Sequence, residues 1–169
     1  HEQGDLRFAL HAGHGEFPRI VIASGDIMEC IYDAVLAFNY AERYQTPVIH
    51  LVDKALANSS IVQGMPELGR VRIDRGLLLD EEMLEGVYRR FAFTESGISP
   101  RGILGLKGGV FWCSGDEHDE LGHICEVASN RTQMMDKRMK KLETALKEIP
   151  DSEKANFFGS EAAETAIVS

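Results

Sequence analysis

Cysteine is scarce in this sequence: Cys30, Cys113 and Cys125 are the only three in 169 residues, and none forms a Cys-x-x-Cys pair. That spacing excludes the zinc and iron–sulfur frameworks built from closely spaced thiolates. A sparse, odd set also fits a reducing compartment better than a disulfide scaffold. Long apolar runs are lacking too, and none approaches the ~20 residues needed to cross a bilayer. No signal-peptide pattern opens the chain. Basic residues are in deficit, with 18 Lys and Arg against 27 Asp and Glu and a net charge of -9. Such a chain repels a phosphate backbone, which argues against nucleic acid as a partner. There is no Gly-x-Ser-x-Gly elbow, no P-loop, no dinucleotide fingerprint and no internal repeat. The expectation is a cytoplasmic protein with neither membrane nor nucleic acid as a partner.

What is present is ordinary globular composition, 44% hydrophobic and 27% charged, enough apolar material to bury a core. Residues 2–13 predict a short helix ended at Gly13. Two continuously apolar runs follow, Arg19 to Ala23 and Val48 to Val52. Between them Ile27, Ile31, Ala34, Val35, Phe38 and Ala41 recur at helical spacing over 27–44, after a cap at Ser24 or Asp26 and before Thr46-Pro47. Strand, helix and strand of this length predict a βαβ crossover with parallel pairing. Strands apolar on both faces belong to a covered parallel sheet. Two strands do not make a stable sheet alone, so further strands are expected from other chain.

Beyond this unit the pattern weakens. A short helix is expected in 54–62, a helix is conceivable near 80–90, and Val110 to Cys113 has strand character. Residues 63–110 are otherwise irregular. The strongest helix is expected over 130–149, capped by Ser129 or Asn130. Met135, Met139, Leu142, Leu146 and Ile149 step by 4, 3, 4 and 3 and form its apolar stripe. Residues 150–162 read as a linker. Residues 165–169 read as the first half of a buried strand, so both ends look like the interior of a larger protein.

Two clusters carry candidate chemistry. His11, His14 and Glu16 stand close together, but Gly13 and Gly15 break the helix there. A helix end with histidine at the negative dipole pole explains them better than a metal. The richer cluster is Asp116, Glu117, His118, Asp119, Glu120 and His123, four carboxylates and two imidazoles within eight residues. Its spacing does not match the EF-hand, although carboxylates suit hard cations. Acid–base chemistry by His118 or His123, an interface or active-site loop, and a merely solvated acidic turn are all open readings. Trp112 beside Phe111 reads as core, and Cys113 and Cys125 as small apolar residues.

Several stretches together resemble one family. They are Glu2-Gln3-Gly4-Asp5-Leu6, Ala12 to Val21 (AGHGEFPRIV), Tyr44 to Ile49 (YQTPVI), Ile73-Asp74-Arg75-Gly76, Gly97 to Arg101 (GISPR), Ser114 to Glu120 (SGDEHDE), and the helix from Asn130 to Glu143. In content and order they resemble alpha subunits of 2-oxoacid:ferredoxin oxidoreductases over most of 2–168. The resemblance implies an α/β fold: part of a thiamine-binding-like three-layer parallel-sheet domain (1–79), an inter-domain arm, acidic loop and linker helix (80–163), and the first strand of a second domain (164–169). It implies oxidative decarboxylation of a 2-oxoacid such as pyruvate or 2-oxoglutarate to an acyl-CoA, with ferredoxin accepting electrons. It further implies thiamine diphosphate and magnesium in the complete complex, an iron–sulfur cluster on a partner subunit, and a beta subunit carrying the diphosphate site, with or without further small subunits. The family's Tyr-Pro-Ile-Thr-Pro stretch, its glutamate for the aminopyrimidine ring and its substrate arginine have no counterpart here. No catalytic residue, metal ligand or cofactor on this chain alone is therefore expected. The candidate binding loop is Asp116, Glu117, His118, Asp119, Glu120 and His123. A non-catalytic assembly module retaining the alpha-subunit scaffold is the alternative reading.

Overall fold

The two apolar runs pair side by side. In the computed structural model, which describes residues 4–84, 86–160, 162–165 and 167, β1 (Ile20–Ser24) and β2 (Val48–Val52) are parallel, with Ile20 opposite Val48 and Ser24 opposite Val52. The crossover between them is α2 (Ile27–Tyr44), over the expected range. Its start is fixed chemically. The Asp26 carboxylate accepts from the Glu29 N–H at 2.8 Å, and the Glu29 carboxylate reaches back to the Gly25 N–H at 2.7 Å. This reciprocal arrangement satisfies two donors at the helix entrance.

Strand periodicity sends alternate side chains to opposite faces. Ile20, Ile22 and Val48 pack toward Leu36, Tyr40 and Tyr44 of α2. Ile49 and Leu51 meet α1 (Asp5–His11) across a cleft of about 540 Å³. The unit is an α/β unit of two parallel strands with α2 packed on one face. Arg19 ties α1 down by donating to the carbonyls of Ala9 and Ala12 while its guanidinium lies 4.0 Å from the centre of the Phe17 ring. These donations meet orphan carbonyls at the helix C-terminus.

The 54–62 helix shortens to one turn, α3 (Lys54–Ala57), capped by Asp53. Neither 80–90 nor 110–113 forms a regular element among the described residues; 81–84 and 86–90 are turns, bends and irregular chain. The arm instead folds on itself by side-chain-to-backbone bonds. Leu79 and Arg101 exchange backbone bonds with the opposing chain, and the Tyr88 hydroxyl bridges Pro100 O and Gly102 N. Segments that satisfy their backbone this way leave no periodic apolar signal.

The last long helix, α4, spans Ala128–Glu148. Its cap differs from expectation. Val127 occupies the cap position, and the Asn130 side chain donates to His118 O at 2.9 Å. Its buried face differs as well. The buried residues are Met134, Lys137 and Ala145, whereas Leu146 is 67% exposed and Met139 39% exposed. The face is rotated by about one residue because two lysines are drawn inward by backbone carbonyls. Lys137 donates to Gly97 O at 2.8 Å and Lys141 to Gln45 O at 2.7 Å. Ala145 then joins Tyr40, Tyr44 and Ile98 in the core. The expected opening strand at 164–169 lies largely outside the described residues.

α4 approaches the arm so closely that a side chain is excluded at Gly97. A Cβ there would sit 2.5 Å from Lys137 O, at a φ of +78°. Gly97→Ala is expected to loosen α4 by about 1–3 kcal/mol through left-handed strain and overpacking. Hydrogen exchange of α4 in the full-length subunit checks this, and unchanged protection of 134–145 would contradict it.

Candidate functional site

Four carboxylates in eight residues would repel one another unless each found a donor. The fold supplies donors to three of them. His118 and Ile124 pair across a tight antiparallel turn, with Asp119 N donating to His123 O at 2.9 Å and Cys125 N to Glu117 O at 3.0 Å. At the tip, the Asp119 carboxylate accepts from Leu121 N at 2.9 Å and His123 N at 3.0 Å. Gly122 closes the turn at a φ of +89°, where a Cβ would run into the Trp112 carbonyl. The acidic cluster is thus a hairpin.

α4 and the arm clamp it. Glu117 accepts from Arg138 at 2.6 and 3.0 Å and from Arg131 at 2.5 Å. Glu120 accepts from Arg89 at 2.8 Å and from Phe93 N at 3.0 Å. The His118 ring lies 4.1 Å from the Phe91 ring, and its Nδ1 contacts Asp119 O at 2.8 Å. Arg101 does not take part; it pairs with Glu42, which it shares with Arg75. Arg138, the stronger clamp, lies two turns beyond Arg131 on the helix and carries no sequence signal distinguishing it from a surface charge.

Proton affinities follow from this geometry. The Arg138 bonds, opposed by partial burial and helped by Arg131 and the His118 N–H, hold the Glu117 carboxyl down to about 2. Burial pushes Asp119 up, but the N–H groups of His123, Leu121 and Gly122 outweigh it and its net shift is down. The lysines behind the hairpin are lowered too, but by burial and neighbouring cations. Burial, then Lys141, Arg90 and Arg138, bring Lys137 down to about 7, with Glu120 as the opposing charge. Burial, Arg90 and Arg138 bring Lys141 down to about 8.

What remains outward is a different surface from the one the sequence suggested. Asp116 and His123 are exposed, and Trp112 is 70% exposed with its ring 5.8 Å from His123. Trp112 is therefore not core. His11, His14 and Glu16 are exposed. Among the described residues no three His, Cys, Asp or Glu side chains converge as metal ligands. A second cleft of about 700 Å³ is lined by Arg75, Arg101 and the apolar turn from Gly102 to Phe111, away from the hairpin's carboxylates. Sequence reasoning missed Gln45, Lys137 and Lys141. The lysines were discoverable only as the four-residue repeat adjoining the Met stripe.

Two pH responses are expected. Glu117 has a depressed folded-state affinity, so its stabilisation is present above the ordinary carboxylate range and is lost as pH falls from about 4.5 toward 2. Glu117→Gln should release the hairpin by about 1–3 kcal/mol at neutral pH. Hydrogen exchange of 116–125 in the full-length subunit reads this, and equal protection in the variant would contradict it. Lys137 and Lys141 bind protons more weakly when α4 is docked, so docking should strengthen as pH rises from about 7 toward 10. A pH-independent protection of α4 would contradict that.

Comparison with known proteins places this geometry in a family. Residues 1–137 match the family model described as pyruvate flavodoxin/ferredoxin oxidoreductase, thiamine diP-binding. The chain is 52% identical over 159 residues to the alpha subunit of 2-oxoacid:ferredoxin oxidoreductase 1 of Sulfurisphaera tokodaii, covering 93% of this chain and 25% of that one. It is 50% identical over 168 residues to the corresponding alpha subunit of Saccharolobus solfataricus, covering 98% of this chain and 26% of that one. Among solved structures, the 2-oxoglutarate:ferredoxin oxidoreductase from Magnetococcus marinus with 2-oxoglutarate, coenzyme A and succinyl-CoA bound superposes with a TM-score of 0.80 at 35% identity, over 89% of this chain and 26% of that chain. The chain spans about a quarter of the length of the relatives it matches. The parallel α/β unit, the arm, the clamped SGDEHDE hairpin and α4 are carried by a sequence that belongs to the pyruvate flavodoxin/ferredoxin oxidoreductase family, of the thiamine-diphosphate-binding type.

Proposed function

We propose that this chain is a segment of the alpha subunit of an enzyme that oxidatively decarboxylates a 2-oxoacid to an acyl-CoA, with ferredoxin as electron acceptor. The observation that carries the reading is the match to alpha subunits of 2-oxoacid:ferredoxin oxidoreductases along nearly the whole chain, at 45–52% identity. The structural likeness to an enzyme holding 2-oxoglutarate, coenzyme A and succinyl-CoA supports the same chemistry. Thiamine diphosphate supplies the carbanion chemistry in the assembled enzyme. Its magnesium and diphosphate anchor is assigned to the beta subunit, and the iron–sulfur cluster to a partner. This chain's own contribution is scaffold: residues 1–79 complete an α/β domain, 80–163 form the arm, hairpin and helix leading away from it, and 164–169 begin a second domain. The assembly is placed in the cytoplasm. Among the described residues no helix is long and apolar enough to cross a membrane.

The hairpin is assigned to the interface with the beta subunit or to the edge of the active site. Its inward carboxylates are already paired, so the recognising groups are Asp116, His123 and Trp112. An aromatic anchor beside polar groups suits a partly desolvated contact. The expected result is that the co-expressed full-length subunits reduce ferredoxin only when both a 2-oxoacid and coenzyme A are supplied. The isolated 169-residue chain should show no turnover and little affinity for thiamine diphosphate. Calorimetry giving micromolar binding to that chain would contradict the assignment of the anchor elsewhere. The double change Asp116→Asn with His123→Ala should weaken subunit association or lower turnover while leaving exchange protection of α4 unchanged. An intact, fully active complex would return the hairpin to a structural turn.

A further inference from the structure

The cleft of about 700 Å³ has one apolar wall and one cationic wall. Two consecutive turns build the apolar wall. Leu106 N donates to Ile103 O at 3.2 Å, and Gly109 N donates to Leu106 O at 3.1 Å. The third residue of each turn is a glycine at positive φ, +93° at Gly105 and +78° at Gly108, which is the type II pattern. The neck is closed at Gly102. A Cβ there would lie 2.8 Å from Gly109 O, and the Gly102 N–H donates to the Tyr88 hydroxyl. The fixed backbone holds Leu104 at an outer corner, fully exposed to water. Val110 is 88% exposed, and Trp112, also exposed, carries the apolar surface along the chain toward the hairpin. Large apolar side chains held outward on an ordered backbone are the mark of an interaction surface.

The other wall supplies charge. Arg75 and Arg101 both line the cleft, and both donate to the same Glu42 oxygen, Arg75 at 3.1 Å. One carboxylate thus answers two guanidiniums, and no further acceptor for either side chain is found among the described residues. Each guanidinium keeps most of its N–H fork to offer. Arg90 adds a third guanidinium 5.8 Å from the centre of the Phe111 ring, and Lys107 stands exposed on the second turn. This local excess of positive charge belongs to a chain whose net charge is -9. Charge complementarity therefore selects an occupant with a carboxylate set beside apolar groups.

We propose that this cleft receives a surface segment of the beta subunit that carries an acidic side chain flanked by apolar ones. Arg75 and Arg101 take the carboxylate, Phe111 forms the floor, and Leu104 and Val110 are the apolar anchors. Arginine beside aromatic and aliphatic anchors is the composition that concentrates binding energy at protein interfaces. The partner's identity rests on the alpha-subunit reading; the chemistry of the segment does not.

The test is sedimentation of co-expressed full-length alpha and beta subunits at low and high salt, with ferredoxin reduction by the wild-type complex measured separately. Leu104→Asp should weaken association by about tenfold or more. Because Leu104 is fully exposed, hydrogen exchange of the arm and α4 in that variant should match wild type. Arg75→Gln should also weaken association and flatten its salt dependence. Wild-type association in both variants would overturn the proposal, as would a wild-type pair that does not associate. Self-association of the alpha subunit that Leu104→Asp abolishes would assign the cleft to a second copy and overturn it too. So would unchanged assembly together with Arg75-dependent binding of octanoate to the complex, which would make the cleft a site for a small amphipathic anion. A complex that assembles in this Leu104- and Arg75-dependent way but reduces no ferredoxin would support the cleft and sink the oxidoreductase reading alone.

Discussion

Everything beyond the βαβ unit hangs on the end of α2, where Gln45 adopts a left-handed conformation at a φ of 51°. That geometry is costly for a residue with a side chain, and here each of its polar groups outside the strained N–H is engaged. The backbone carbonyl accepts from Lys141 of α4. The side-chain amide donates to Ser99 O at 2.6 Å, and its oxygen accepts from Arg90 at 3.0 Å. One residue thus touches three segments, the crossover helix, the irregular arm and α4, which also share the core of Tyr40, Tyr44, Ile98 and Ala145. Thr144 of α4 adds a bond to Ser96 O at 2.8 Å, so the same stretch of arm is held from both sides.

From that joint the hairpin inherits its position. α4 meets this joint through Lys141 and the buried Lys137, while Arg138 beside them and Arg131 two turns nearer the N-terminus grip Glu117. The charges are arranged in a gradient. Cations crowd the joint, where only Glu120 faces Lys137, and carboxylates crowd the tip. Individual exposed pairs of this type contribute only ~0.2–1 kcal/mol. Glu117 is different because two guanidiniums converge on one carboxylate whose side chain is mostly out of solvent. The consequence is a polar connector whose shape depends on hydrogen bonds to backbone carbonyls and on one ion triad, with little apolar packing. Such a connector holds its geometry best when larger bodies on either side are in place.

The elements whose physics is local were legible. The run Val48 to Val52 and the helix 27–44 appear where apolar periodicity put them, since both rest on side chains facing one sheet. The elements whose physics is non-local were not. α4 was expected from its strongest apolar stripe, yet it buries Lys137 in preference to Met139, because Gly97 O and Gln45 O lie opposite the lysine face. No window of sequence contains that information, since Gln45 is 96 residues from Lys141. That Glu117 and Glu120 of the acidic cluster turn inward follows from Arg138 and Arg89, whose reach depends on the fold of the arm. Ser24, Asp33 and His50 carried no joint signal, because they lie on β1, α2 and β2 and meet only once the parallel crossover has formed.

The claim that Gln45 organises arm and α4 as one unit is tested most directly by residue-level hydrogen exchange on the full-length subunit carrying Gln45→Gly. Glycine accepts the left-handed backbone without strain and keeps the carbonyl for Lys141, so the change isolates the side-chain amide. The account predicts that protection falls together in 90–101 and 137–145 while α2 and the β1–β2 pair are unchanged. Loss confined to the last turn of α2, with the arm and α4 as protected as before, would contradict it.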